Sequence, residues 1–360
     1  MTTALRRRDS SSLTASSYGG RRRPLRLRLL ESTPVIPPPT PPPPPPPPQF
    51  RVYTTTRTLA DATLVLFWDR HLRRLAHSAR VLAESRPGLL GPGPLRPGSL
   101  RRAVHGSVRA GLAAALEERR RTGSTAEVAI TALVRGGGGG EEGNGADVFV
   151  HLGFYLPPVF GVGGAHLAVA GPGRVVAAAK YSEWARVRKG MEKMRPPLVT
   201  ELLLTNDGDQ ILEGSVTNFF IVVSDVAAAP DHPMIEVQTA PISDGVLPGV
   251  IRQLVIDLAL ILIIGWLGFA VALESLYERL HRHGQNANFG KRPLSQRLNS
   301  EQVIAGSLRL VQHVETIQAP LSYEDLRLST WKDVLWVMKQ FEREIAERAI
   351  ADGLAVKDLL

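Results

Sequence analysis

The chain has 360 residues, 44% of them hydrophobic and 21% charged, with no cysteine and a formal net charge of +9. That balance belongs to a globular protein long enough for two domains, and the lack of cysteine excludes disulfides, thiolate metal sites and cysteine nucleophiles together. The charge does not describe a nucleic-acid-binding face: residues 1–49 carry eight arginines against only Asp9 and Glu31, so six of the nine net charges sit in that tail.

Residues 1–49 are rich in arginine and serine and poor in acid, the composition of an organelle transit peptide or of a disordered basic extension. A transit role implies a plastid or mitochondrion; without it the cytoplasm is expected. The run Pro41–Pro48 is a stiff polyproline II spacer, and ordered structure is expected from about Val52 onward. Tyr53-Thr54-Thr55-Thr56-Arg57 is β-rich. Leu72, Leu75, Ala79 and Leu82 predict a helix over 71–84, and Val104, Val108, Leu112 and Leu116 predict another over 100–121. Residues 126–134 and 147–155 read as strands, joined by a glycine-rich surface insertion over 136–145. Leu156-Pro157-Pro158 marks a boundary between a small domain, 50–157, and a larger one, 158–350.

In the larger domain a helix is predicted over 181–194. A hairpin of 199–205 and 210–223 follows, turning at Asn206-Asp207-Gly208 and kinked at Gly214. Residues 234–239 form a further strand, Pro248-Gly249 opens a helix, and 331–347 is the last helix. Residues 258–273 hold no charge, but sixteen residues fall short of the ~18–20 needed to span a bilayer. A buried helix running into a buried strand is expected there, with no membrane partner. The polar stretch 281–300 reads as a long surface loop.

The chemistry concentrates between Lys180 and Asn218. Lys180 follows three alanines, and thirty-three residues later comes Glu213-Gly214-Ser215-Val216-Thr217-Asn218. An amine and a carboxylate at opposite ends of one flat ring suit pyridoxal phosphate: the lysine forms the imine, and the acid keeps the ring nitrogen protonated so that the ring takes up electrons. Other cationic and backbone donors are needed for the phosphate. Arg74 stands in His71-Leu72-Arg73-Arg74-Leu75, and Leu247-Pro248-Gly249-Val250-Ile251-Arg252 offers the free amides of a helix start.

Together these segments resemble the fold-type IV pyridoxal phosphate enzymes, the group of D-amino acid and branched-chain aminotransferases and aminodeoxychorismate lyase, over about Tyr53 to Val314. The match is best with plant members described as D-amino-acid-aminotransferase-like. The resemblance implies a mixed α/β (α+β) fold of two domains with the cofactor between them, commonly in a homodimer. It implies Lys180 as the catalytic, Schiff-base lysine and Glu213 as the acid on the ring nitrogen. Arg74, the Val250 and Ile251 amides and Ser307 are implied on the phosphate, with Thr217 and Asn218 beside the ring or capping the bend. Tyr53 falls at a substrate-side position, and Arg57 is a candidate for a substrate carboxylate. Two departures stand out. Ile251 replaces a common threonine, which leaves only its amide, and Lys180-Tyr181-Ser182-Glu183-Trp184-Ala185 lacks the Asn-Tyr or Asn-Leu that relatives often carry. No metal is expected. The implied activity is amino transfer between an amino acid (D- or branched-chain) and a 2-oxo acid, with a pyruvate-releasing lyase or a catalytically impaired relative as alternatives.

Overall fold

A computed structural model of the chain describes residues 12–17, 51–86, 97–136, 146–159, 162–206, 210–225, 234–267, 301–318, 326–327 and 332–360. The elements of the first half are β1 (Ser12–Ser17), β2 (Val52–Leu59), β3 (Leu64–Val65), α1 (Trp68–Ser85), α2 (Pro97–Arg121), β4 (Glu127–Gly136) and β5 (Ala146–Tyr155). The second half runs β6 (Ala165–Pro172), α3 (Ser182–Glu192), β7 (Glu201–Asn206), β8 (Gln210–Gly214), β9 (Asn218–Asp225), β10 (Met234–Gln238) and α4 (Val250–Leu267). It closes with β11 (Glu301–Gly306), β12 (Leu310–Gln318), β13 (Leu326–Arg327), α5 (Lys332–Ala351), β14 (Leu354–Ala355) and α6 (Val356–Leu359).

The first sheet has the order β1-β5-β4-β2-β3-β14, antiparallel throughout. Alternation decides its faces: Val128, Ile130, Ala132 and Val134 of β4 point inward with Val148, Val150 and Leu152 of β5. Against them lie the predicted helical stripes, Leu72, Leu75, Ala79 and Leu82 on α1 and Val104, Val108 and Leu112 on α2. The last turn of α2 carries Arg119, Arg120 and Arg121, which suits the negative end of the helix dipole.

The second sheet has the order β10-β9-β11-β12-β6-β7-β8, with β13 added on β12. It is mixed: β6 pairs in parallel with β12 and β7, while the other ladders are antiparallel. Phe220 and Val222 of β9 face α4 and α5, where they meet Leu254, Leu258, Phe341 and Ile345. The alternate residues Phe219 and Ile221 join Leu203, Ile211 and Ile304 in a separate core. Two exchanges tie the halves together. Leu66 and Phe67 enter the α4–α5 core, and Val356 and Leu359 of α6 return to the first core, where β14 pairs with β3. Residues 354–359 thus pack with the first sheet.

Two expectations need correction. Order is expected only from about Val52, with residues 1–49 a disordered extension; instead Ser12–Ser17 pairs with β5, covering what would otherwise be an open edge. The strand read over 210–223 is two strands. It breaks after Gly214 at a bend over 215–217, and β9 pairs with β10 and β11 instead of continuing the hairpin. Helix α4 runs on to Leu267, and the expected strand after it, like the 281–300 stretch, lies outside the described residues. Most of the glycine-rich insertion and the centre of the Asn206-Asp207-Gly208 turn also lie outside them. Among the described residues no helix is long and apolar enough to cross a membrane, and no group of metal-ligating side chains is present.

Candidate active site

Lys180 lies in the connection between β6 and α3, tied by its backbone to α1 and β2. Its amide donates to Ser78 Oγ of α1 at 3.0 Å, and its carbonyl accepts from the Tyr53 amide of β2 at 2.9 Å. The neighbouring Val52–Tyr181 bridge and the Ser182 amide on the Arg51 carbonyl extend the seam. The Lys180 amine stands 4.9 Å from the centre of the Tyr53 ring. Burial, and then the charges of Arg74, Arg174 and Arg188, push it well below the usual lysine range, with only Glu213 pulling back. An amine held toward its neutral form in this way is a better nucleophile.

Glu213 lies near the end of β8, and its carboxylate is surrounded. Oε1 lies 2.7 Å from Arg174 Nε, and both side chains are 1% exposed. The Nε–H is not aligned with that oxygen, so the contact is an ion pair without a proper hydrogen bond. Oε2 accepts from Asn218 Nδ2 at 3.1 Å and from the Leu247 amide at 3.2 Å. Burial pushes the carboxyl above its ordinary range; Arg174, the Leu247 amide and Lys180 hold it back. Arg174 in turn lies 4.7 Å from the ring of Trp184, whose Nε1 donates to the Ser215 carbonyl at 3.0 Å.

Arg74 is buried on α1 and pairs with no carboxylate among the described residues. Its Nη2 donates to Thr54 Oγ1 at 2.9 Å and approaches His71 Nδ1 at 3.3 Å, while its Nε is buried without a partner. Burial brings Arg74 down to about 10, so it stays charged at neutral pH. An arginine can only donate, so His71 Nδ1 is the acceptor and also receives Thr54 Oγ1 at 2.9 Å. Burial and the charges of Arg74 and Lys180 depress His71 well below its ordinary 6.5. The folded imidazole is therefore neutral where an unfolded one is protonated, and stability drops as pH falls below about 6.5. We expect the urea midpoint to decline from about pH 7.5 to about pH 5.5, with a shallower slope in His71→Gln; an unchanged slope refutes the assignment. The Lys180 amine and the partly solvated His105 are shifted the same way, so a slope of the same sign remains in the variant.

The start of α4 faces the same cluster. The first-turn amides of a helix have no partner within it, and here they belong to Val250 and Ile251, both with buried side chains. A side chain at Gly249 would collide with Asn218 Oδ1, so the backbone comes as close as glycine permits. Arg252 holds the Ala240 carbonyl through Nη2 at 2.9 Å and keeps Nε buried without a partner.

Ser307 lies in the turn between β11 and β12, and a Cβ on the preceding Gly306 would sit 3.2 Å from Thr217 Cγ2. Arg57 does not reach outward freely: its Nε donates to the Leu308 carbonyl at 2.8 Å and its Nη1 to Thr58 O at 2.9 Å. Asn218 spends its amide on Glu213 and on Leu247 O at 3.0 Å. The Thr217 hydroxyl and amide both go to Glu201 Oε1, at 2.9 and 2.8 Å. Both residues thus hold the bend and its carboxylate.

The sequence model of the family described as amino-transferase class IV matches residues 51–266, more than half of the chain. The chain belongs to the class IV aminotransferases. No curated protein matches it in sequence. Among solved structures it is similar to a branched-chain aminotransferase from Thermoproteus uzoniensis with norvaline, at 17% identity and a TM-score of 0.55 over 86% of this chain and 90% of that one. A fold IV-transaminase from Curtobacterium pusillum gives 17% identity and a TM-score of 0.50 over 81% of this chain and 84% of that one. The PLP-bound form of a hypothetical aminotransferase from Mycobacterium tuberculosis gives 14% identity and a TM-score of 0.50, over 84% and 89% of the two chains. At these identities the likeness is one of fold.

This class IV chain gathers Lys180, Glu213, Arg74, Tyr53 and the start of α4 around one buried cluster. Sequence reasoning missed Arg174 and Glu201. Nothing in the turn Gly171-Pro172-Gly173-Arg174 separates that arginine from a surface one. Glu201 did leave a signal, a lone carboxylate at the head of the apolar run Leu202-Leu203-Leu204.

Proposed function

We propose that this chain is a pyridoxal-phosphate-dependent transaminase that moves an amino group between an amino acid and a 2-oxo acid. The observation that carries it is an imbalance. Arg174, Arg252 and the Lys180 amine share a single carboxylate, Glu213, Arg74 adds a further charge beside Lys180 and Arg174, and Arg74 Nε, Arg174 Nη1 and Arg252 Nε are buried without partners. Buried guanidinium charge without a counter-ion costs several kcal/mol, so the cluster suits an anionic ligand. Pyridoxal phosphate fits it: Lys180 would take the aldehyde, Glu213 the ring nitrogen, and Arg74, the Val250 and Ile251 amides and Ser307 the phosphate. When bound, it supplies an electron sink for the bond that breaks at the substrate α-carbon. The chain's own part would be to keep the ring nitrogen protonated through Glu213 and to carry a proton on the Lys180 amine, whose pKa the pocket lowers.

We assign the chain to the plant-type, D-amino-acid-aminotransferase-like part of the family on the resemblance of residues 53–314, with a D- or branched-chain amino acid as donor and a homodimer as the working unit. The experiment is a transfer assay. Protein supplied with pyridoxal phosphate is offered D- and L-amino acids with a 2-oxo acid, and the new amino acid is measured. Pyruvate released from an aminodeoxychorismate-type substrate, with no amino transfer, would replace the transaminase by the lyase.

A further inference from the structure

Glu201 is a buried carboxylate at the start of β7, and it joins three segments far apart in sequence. Oε1 accepts the Val216 amide at 2.7 Å, the Thr217 amide at 2.8 Å and the Thr217 hydroxyl at 2.9 Å, so one oxygen fixes the bend that follows Glu213. Oε2 lies 3.1 Å from Nη1 of Arg309, in the turn that carries Ser307. The fit leaves no slack. A side chain at Gly214 would collide with Glu201 Oε1 and Thr217 Oγ1, and one at Gly306 would press on Thr217. The 307–309 turn is also held from the small domain, where Arg57 Nε donates to Leu308 O at 2.8 Å. Ser307 therefore stands in a turn gripped from both halves of the protein.

We propose that Glu201 is a positioning residue: through Arg309 and Thr217 it locks the Ser307 turn to the Glu213 bend, and so sets the protein's grip on a phosphate group. Glu201 touches no ligand itself. The inference rests on the cofactor reading above and adds a division of labour: Arg74 and the start of α4 supply charge and amides, while Glu201 holds the opposite wall at the right distance. Removing its charge leaves the Arg309 guanidinium unpaired and frees the turn to drift, which weakens contacts to a phosphate and spares those to the ring.

The test compares two aldehydes that differ only in that group. Apo-protein is titrated with pyridoxal 5'-phosphate and with pyridoxal, following absorbance. Glu201→Gln, which can still accept the two amides, is expected to lose about tenfold in affinity for the phosphorylated aldehyde and less than about twofold for pyridoxal. Arg309→Met, which breaks the same link from the other side, should reproduce that selective loss, and the double variant should lose no more than either alone. If Glu201→Gln does not fold, Arg309→Met carries the test. Equal losses for both aldehydes mean a general structural role and overturn the proposal, as does unchanged affinity. Wild-type protein that takes up neither aldehyde overturns the cofactor reading and this inference with it.

Discussion

Lys180→Met protein takes up pyridoxal phosphate without a covalent link and transfers amino groups at least about 10⁴-fold more slowly than wild type, the scale of loss when a residue that both forms the bond and carries the proton is removed. Borohydride reduction of the wild-type protein loaded with the cofactor should fix it on the peptide containing Lys180, and the variant should retain none; label on another lysine would end the assignment. The same substitution has a second signature in the apo-protein. The folded amine is held well below the usual lysine range by burial and by Arg74, Arg174 and Arg188. Unfolding therefore takes up a proton, and wild-type stability rises with pH until the unfolded amine itself titrates near 10.5. In Lys180→Met that rise is lost, and the apo-protein is the more stable of the two at neutral pH because no amine has to be buried. Urea midpoints across the pH range measure both effects.

The second large effect lies in the Arg174–Glu213 pair. Glu213→Gln leaves Arg174 without a carboxylate in a place where it is 1% exposed, at a cost of about 3–5 kcal/mol in apo-protein stability. Arg174→Met costs a similar amount, because the buried Glu213 loses the charge that most strongly opposes the upward push of burial on its pKa. In that variant Glu213 takes up a proton closer to neutral pH, and the cofactor's ring nitrogen loses its ionised partner. The double variant should be far more stable than the sum of the single losses suggests, because it leaves neither charge alone. Catalysis separates the two partners. The double variant regains stability but keeps the roughly 10²–10³-fold loss of transfer rate expected when a preorganised charge is removed from the reacting ring. Simple additivity of the stability losses would show that the two groups do not interact in solution.

Much of the fold is legible from period and punctuation. The stripes on α1 and α2, the alternation of β4 and β5 and the helix after Pro248-Gly249 depend on local spacing, and local spacing survives into the structure. The break after Gly214 was not legible as a change of strand, because its cause is Glu201, on another strand, drawing in the Val216 and Thr217 amides. The return of residues 354–359 to the first sheet has the same character: Leu354 and Ala355 carry no mark of their partners, Leu64 and Val65. Arg57 shows the limit for side chains. As an arginine in a strand it could meet a substrate, but the Leu308 and Thr58 carbonyls claim two of its donors.

The order of residues along the chain is enough to name the groups at hand: an amine at 180, an acid at 213, an arginine at 74 and a helix start at 250, in an order that marks the class IV aminotransferases. Which charges are neutralised and which are left over, that Glu213 is held by Arg174, and that Glu201 binds a bend to a distant turn emerge once the chain is folded. The reason is physical. Periodicity reports which face of an element is buried, whereas the pairing of buried charges depends on distances across the core, between residues that lie far apart along the chain.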